Sequence, residues 1–124
     1  MPKAGDSPFL NMEINPDGAG GATGVLVIDA VHRNPYGIVH GGVYAALADN
    51  AMGGAVAGLM GAGKTFNTID LHLRYLRPMR EGTISVRATV VKPGRRVIQA
   101  ECAMQGDDGK LVATATASFF VVED

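Results

Sequence analysis

Residues 43–63 constrain this chain more than any other stretch, because they hold one charged side chain, Asp49, in a run dominated by Gly, Ala, Leu, Met and Val. Over residues 42–60 the apolar positions fall on every side of a 3.6-residue period. Val43, Leu47, Ala51 and Gly54 line one flank, and Tyr44, Ala48, Ala55 and Leu59 another. A helix apolar nearly all round has to be enclosed. The stretch is long enough to suggest a membrane span, but its Gly/Ala content and the pair Asp49-Asn50 near its first third fit a buried helix of a soluble domain better. With 124 residues in all, the chain is about one domain long, so residues 1–124 read as one unit whose remainder must wrap that helix.

The wrapping is legible as period-two alternation. From Phe66 onward, Ile69, Leu71, Leu73 and Tyr75 alternate with Thr68, Asp70, His72 and Arg74, which predicts a strand with one apolar face. Three more predicted strands follow on Ile84, Val86, Ala88, Val90; on Ile98, Ala100, Cys102, Met104; and on Leu111, Ala113, Ala115, Ala117, Phe119, Val121. The turn clusters Pro93-Gly94 and Asp107-Asp108-Gly109 are too short for anything but antiparallel neighbours, so the C-terminal half is expected to be a β-meander. Upstream, residues 9–14 and 22–31 read as two weaker strands around the turn-rich residues 15–21. The expected class is α+β, a curved antiparallel β-sheet wrapped around one long central helix. Gly53, Gly54 and Gly58 are expected to let that helix approach its surroundings closely.

Charge narrows the function classes. Eleven basic against twelve acidic residues give a net charge of −1, so no global field attracts nucleic acid or an anionic membrane, and no partner of either kind is expected. The lone Cys102 forms no internal disulfide and the opening residues lead into no apolar signal core, which makes the cytoplasm the expected compartment. No His/Cys/carboxylate set has metal-ligand spacing, and neither a metal nor any other cofactor is expected.

Two glycine-rich runs invite a nucleotide reading. Gly58-Leu59-Met60-Gly61-Ala62-Gly63-Lys64-Thr65 matches G-x-x-x-x-G-K-[ST], but that loop works between a strand and the start of a helix, and here a helix precedes and a strand follows. A glycine-rich helix terminus is the better reading. The run at residues 18–24 misses the dinucleotide fingerprint, since Thr23 stands where the third glycine belongs.

The stronger constellation is Asn34-Pro35-Tyr36-Gly37-Ile38-Val39-His40-Gly41-Gly42, followed by Asp49 on the helix. Gly41-Gly42 at a helix start leaves backbone N–H donors directed outward at the positive end of the helix dipole, a natural site for a carbonyl oxygen or oxyanion. Asp49 among small apolar residues is either satisfied by a neighbouring donor or employed chemically, and the residues alone leave both readings open. Asp49 lies about 12 Å along the axis from Gly41 at about 1.5 Å per residue, too far for both to touch one reacting atom. Two antiparallel helices meeting across a twofold axis would bring His40 and Gly41 of one copy to Asp49 of the other.

The segment His40-Gly41-Gly42-Val43-Tyr44-Ala45-Ala46-Leu47-Ala48-Asp49, with Asn34-Pro35 and Gly37 before it, resembles the signature of hotdog-fold acyl-CoA thioesterases of the phenylacetic-acid-degradation PaaI-like branch. The order of elements is similar across nearly the whole chain, including Arg74-Tyr75-Leu76-Arg77-Pro78. The resemblance implies hydrolysis of a thioester between coenzyme A and an acyl or aryl-acyl group, coenzyme A being part of the substrate. It implies that the Gly41 N–H polarises the thioester carbonyl, that Asn34 and His40 position the thioester with Gly42 nearby, and that Asp49 of a facing subunit acts as nucleophile or general base. Thr68 matches a hydroxyl residue that helps hold the water. Gly53 departs from relatives with Thr or Ser one turn after the acid. Basic residues near the turns of such proteins meet the coenzyme A phosphates, which nominates Arg95 and Arg96, whereas Lys92, Arg77 and Arg80 read equally as solvated charges. The resemblance further implies a homodimer or homotetramer. His32 and His72 are expected at the surface or an interface. Competing readings are a non-catalytic acyl-CoA-binding hotdog protein, a hotdog hydratase or dehydratase and, last, a phosphate-loop NTPase.

Overall fold

The computed structural model describes residues 10–61 and 63–123. Strands β1 (Met12–Pro16) and β2 (Gly21–Val27) lead through a 3-10 turn (Ala30–His32) to the helix α1 (Gly41–Ala57), which is followed by β3 (Lys64–Tyr75), β4 (Thr83–Pro93), β5 (Val97–Gln105) and β6 (Leu111–Glu123). The six strands form one antiparallel sheet in the order β1-β2-β4-β5-β6-β3, curled about α1. This is the expected α+β arrangement. Residue 9, placed at the start of the first predicted strand, lies outside the described residues.

The helix is enclosed as its composition demands. Val43, Tyr44, Leu47, Ala48 and every residue from Ala51 to Val56 are buried, and the sheet meets them with Ile14, Leu26, Ile84, Met104 and Phe119. Gly54 is needed for this, since a Cβ there would stand 3.0 Å from Ile14 Cγ2. Leu59 falls beyond the helix end and is exposed. The glycine-rich run after α1 joins a helix end to a strand start, the reverse of a phosphate loop, with Gly58 as C-cap and Gly63 in the left-handed region at φ 80°.

Three expectations change. Strand β3 does not neighbour β4; it forms one edge of the sheet beside β6, and the connection at residues 76–82 carries the chain from that edge past β6 and β5 to β4 in the interior of the sheet, so only β4, β5 and β6 form a meander. Seven residues including Pro78 are too many for a tight hairpin, and they are tied instead to the loop before α1, where Val39 N–H donates to Met79 O and Arg80 Nη1 to Tyr36 O. Second, the alternation of β3 is broken by a bulge between Thr68 and Asp70, which pair with the consecutive residues Phe119 and Ser118. Ile69 is the extra residue and is exposed, contrary to its predicted place on the apolar face. Phe66 and Thr68 therefore share the inner face with Leu71 and Leu73, a phase that strict alternation forbids. Third, a similar irregularity between Met104 and Gln105 leaves Leu111 exposed and buries Val112 in its place.

Candidate functional site

The loop before α1 is built on Asn34 and His32. Asn34 Oδ1 accepts from the Tyr36 N–H at 2.9 Å and from the Ile38 N–H at 3.3 Å, while Asn34 N–H donates to Ile38 O at 2.8 Å. The side-chain oxygen is thus spent on the loop, and only its amide nitrogen is left for a ligand. His32 is fully buried, which corrects its expected surface position. Its Nδ1 accepts the Asp29 N–H at 2.8 Å, which puts the ring proton on Nε2, where it is donated to Leu10 O at 2.6 Å. The Asp29 side chain in turn accepts from the His32 backbone N–H, completing a capping box, and also from the Ala30 N–H at 2.7 Å. The spacing Asp29-x-x-His32 is the sequence signal for this anchor. His72, by contrast, is exposed as expected.

The anchored loop delivers His40 as N-cap of α1. His40 N–H donates to His32 O at 2.8 Å and His40 O accepts from the Val43 N–H at 3.0 Å, but its exposed side chain makes no cap. The two donors left at the start of the helix are the N–H groups of Gly41 and Gly42. A Cβ on Gly42 would meet nothing within 4 Å, so open space lies in front of it; one on Gly41 would stand 2.8 Å from the Tyr75 hydroxyl oxygen. Tyr75 donates to Gly41 O at 3.0 Å.

Two turns further along, Asp49 is half-buried and its Oδ1 accepts the Thr68 hydroxyl proton at 2.8 Å. A cleft of about 190 Å³ opens there between α1 and β3, lined by Asp49, Asn50, Gly53, Ala57, Phe66 and Phe119 among others. The two phenyl rings meet edge to face, centroids 5.6 Å apart at 83°. Asp49 and Thr68 stand at its polar side, and Gly53 keeps its floor low. The cleft thus joins an oriented carboxylate to an apolar recess the size of a small acyl group.

Of the residues singled out in the sequence, the structure brings Asp49 to Thr68 and sets His40, Gly41 and Gly42 together at the other end of the helix. Within one chain these two groups stay apart, as the helical rise requires. Arg95 and Arg96 are exposed in the β4–β5 turn. The pairing row Ile98–Phe119–Thr68 puts that turn at the Asp49 end of the sheet, about 10 Å across two strand spacings. Arg80 is engaged with Tyr36 O, and Arg77 with Asp108 in an exposed pair at 3.1 Å. Among the described residues no group of three or more His, Cys, Asp or Glu side chains is disposed to hold a metal ion, and no helix is long and apolar enough to cross a membrane. Sequence reasoning missed His32 and Tyr75 as supports of the loop and the turn.

Residues 36–113 match the model of the thioesterase superfamily. A Haemophilus influenzae protein named as an esterase is 30% identical over 115 residues, which cover 91% of this chain and 82% of that protein. The medium/long-chain acyl-CoA thioesterase YigI of Salmonella typhimurium is 30% identical over 102 residues, and the match spans 63% of its length. A crystal structure of a Haemophilus influenzae thioesterase superposes with TM-score 0.88 at 28% identity, covering 94% of this chain and 81% of that one. One of a phenylacetic acid degradation-related protein from Ralstonia eutropha gives 0.87 at 31%, covering 97% and 92%. With that coverage, and with a six-stranded sheet curled around one helix, this chain belongs to the thioesterase superfamily as a thioester hydrolase of hotdog fold and PaaI-like type.

Proposed function

We propose that the chain hydrolyses thioesters of coenzyme A, aryl-acyl thioesters such as phenylacetyl- or hydroxyphenylacetyl-CoA among them, at a site shared by two copies of the chain. The observation that carries this reading is Asp49, a carboxylate oriented by the Thr68 hydroxyl at the mouth of an apolar cleft, on a helix whose start holds two uncommitted backbone donors. Two copies are supported by β3, a 12-residue edge strand without proline, since a long unpaired edge is a template for another strand. Two-fold pairing there would set the helices antiparallel, as a homodimer or within a homotetramer.

In this site the thioester carbonyl oxygen sits on the Gly41 N–H, with Gly42, His40 and the Asn34 amide nitrogen around it. Asp49 of the facing copy takes a proton from water as the water oxygen bonds to the carbonyl carbon, or attacks that carbon itself. The negative charge passes to the carbonyl oxygen, where a preorganised N–H donor is typically worth about 3 kcal/mol. Collapse breaks the C–S bond, and the thiolate of coenzyme A leaves and is protonated. In the attack route water then cleaves the anhydride on Asp49. In this reading Arg95 and Arg96 meet the phosphates of the coenzyme, which is supported by their exposure in a turn at the Asp49 end of the sheet. A recess of about 190 Å³ walled by Phe66 and Phe119 supports a ring-sized acyl group, since a cavity of about 150 Å³ holds benzene.

The experiment is thiol release from phenylacetyl, hydroxyphenylacetyl and medium-chain acyl-CoA, compared by kcat/KM for the parent and Asp49→Ala. The variant should lose at least about a thousandfold in kcat while keeping its melting temperature. Parental turnover by Asp49→Ala would remove Asp49 from the chemistry. Tight binding of the thioesters without release by the parent would favour the non-catalytic acyl-CoA-binding reading, against which the oriented carboxylate speaks.

A further inference from the structure

Tyr75 ends β3 beside the start of α1. Its hydroxyl donates to the Gly41 carbonyl oxygen at 3.0 Å, and its ring meets the buried ring of Tyr44 edge-on, centroids 5.8 Å apart at 79°. The Tyr75 side chain also leaves no room for a Cβ on Gly41. Core packing does not explain this contact, because Tyr75 is 56% exposed. Helix geometry already gives the Gly41 carbonyl an intrahelical donor four residues on, so the tyrosine bond is additional. The Gly41 carbonyl and the Gly42 N–H belong to one rigid peptide unit. A hydrogen bond to the first therefore fixes the plane of the second and, by polarising the peptide, strengthens it as a donor.

We propose that Tyr75 is a positioning residue of the thioester site, acting through the Gly41–Gly42 peptide to hold the Gly42 N–H on the substrate's carbonyl oxygen as the second donor beside the Gly41 N–H. This rests on the reading of the Gly41-Gly42 turn given above. The bulge at Ile69 makes the arrangement possible, because it lets one strand turn both Thr68 and Tyr75 toward the helix. Strand β3 thus supports both chemical groups of its own chain, the carboxylate through Thr68 and the glycine turn through Tyr75.

Tyr75→Phe tests the proposal, since it keeps the ring and removes only the hydroxyl. It should lower kcat about five- to tenfold with KM changed less than about twofold, the size expected for one neutral hydrogen bond felt at the transition state. In the same variant, without substrate, the Gly42 amide ¹⁵N resonance should move while those of Ala100 and Ala117 in the sheet stay in place. Tyr75→Leu, which loses the ring as well, should fall further in kcat. An active parent whose Tyr75→Phe variant keeps its kcat, or loses it without a shift of the Gly42 amide, overturns the positioning role alone. A parent inert toward every thioester overturns the reading beneath it.

Discussion

Single side chains in this fold are set by the donors and solvent around them. Asp17 accepts the N–H groups of Ala19 at 2.7 Å and Gly21 at 2.9 Å, which hold its carboxyl below its ordinary value of 3.8. The unfolded chain binds that proton more readily than the folded one. The stability Asp17 contributes is therefore complete above the usual carboxylate range and is lost as the pH falls through the lowered folded value. Asp17→Ala should melt below the parent at pH 7, and the gap should close in acid; a gap independent of pH would show that the hairpin does not depend on the carboxylate. Burial pushes the Cys102 thiol up to about 12, far from its reactive form at neutral pH. A disulfide reagent at pH 8 should leave the native thiol unlabelled and titrate one thiol per chain only in denaturant. Fast labelling of the native protein would contradict its burial against β6.

Helix and strands impose a different kind of constraint, that of close approach. Replacing an interior helix glycine normally stabilises by removing backbone freedom from the unfolded chain, but the surroundings of Gly54 reverse the sign. A Cβ there meets Ile14 Cγ2 at 3.0 Å and Pro16 Cγ at 3.5 Å, so Gly54→Leu should destabilise by about 1–3 kcal/mol in urea unfolding. At Gly42, where nothing lies within 4 Å, Gly42→Ala should leave the midpoint unchanged or raise it. Equal effects at the two sites would mean that the contact between α1 and the β1–β2 hairpin is loose. The β3 bulge is the companion case. Alternation from Thr68 inward without it would drive Asp70, His72 and Arg74 into the core; alternation from Leu71 and Leu73 would turn Thr68 away from Asp49. One extra residue resolves the conflict between packing and chemistry.

The molecule as a whole keeps the two groups proposed to act on the thioester, the Gly41 N–H and Asp49, apart by about 12 Å along a single rigid helix. If the working site combines Gly41 of one copy with Asp49 of another, two inactive variants should complement. Gly41→Val, whose side chain collides with Tyr75, and Asp49→Ala should each be inactive alone. Co-expressed, a mixed dimer retains one intact site of two and should recover about half the parental rate per dimer. No recovery in an isolated mixed dimer would place the chemistry within one chain.

Much of this was open to reading in the sequence. A stretch apolar on every side admits no place but the centre, period-two alternation names the strands, and His40-Gly41-Gly42 with a lone Asp49 marks the two ends of the proposed site. Composition and period are local properties, and they fix element type and inward faces wherever the pattern is unbroken. The edge position of β3, the extra residue at Ile69 and the burial of His32 were not legible in this way. Each depends on which distant segment lies opposite: β6 pairing with β3, Leu10 receiving the His32 ring proton, Gly41 lying under Tyr75. Strand order and bulges arise when a whole sheet closes around a helix, where energies of packing between segments remote in the chain outweigh the preference of any one of them.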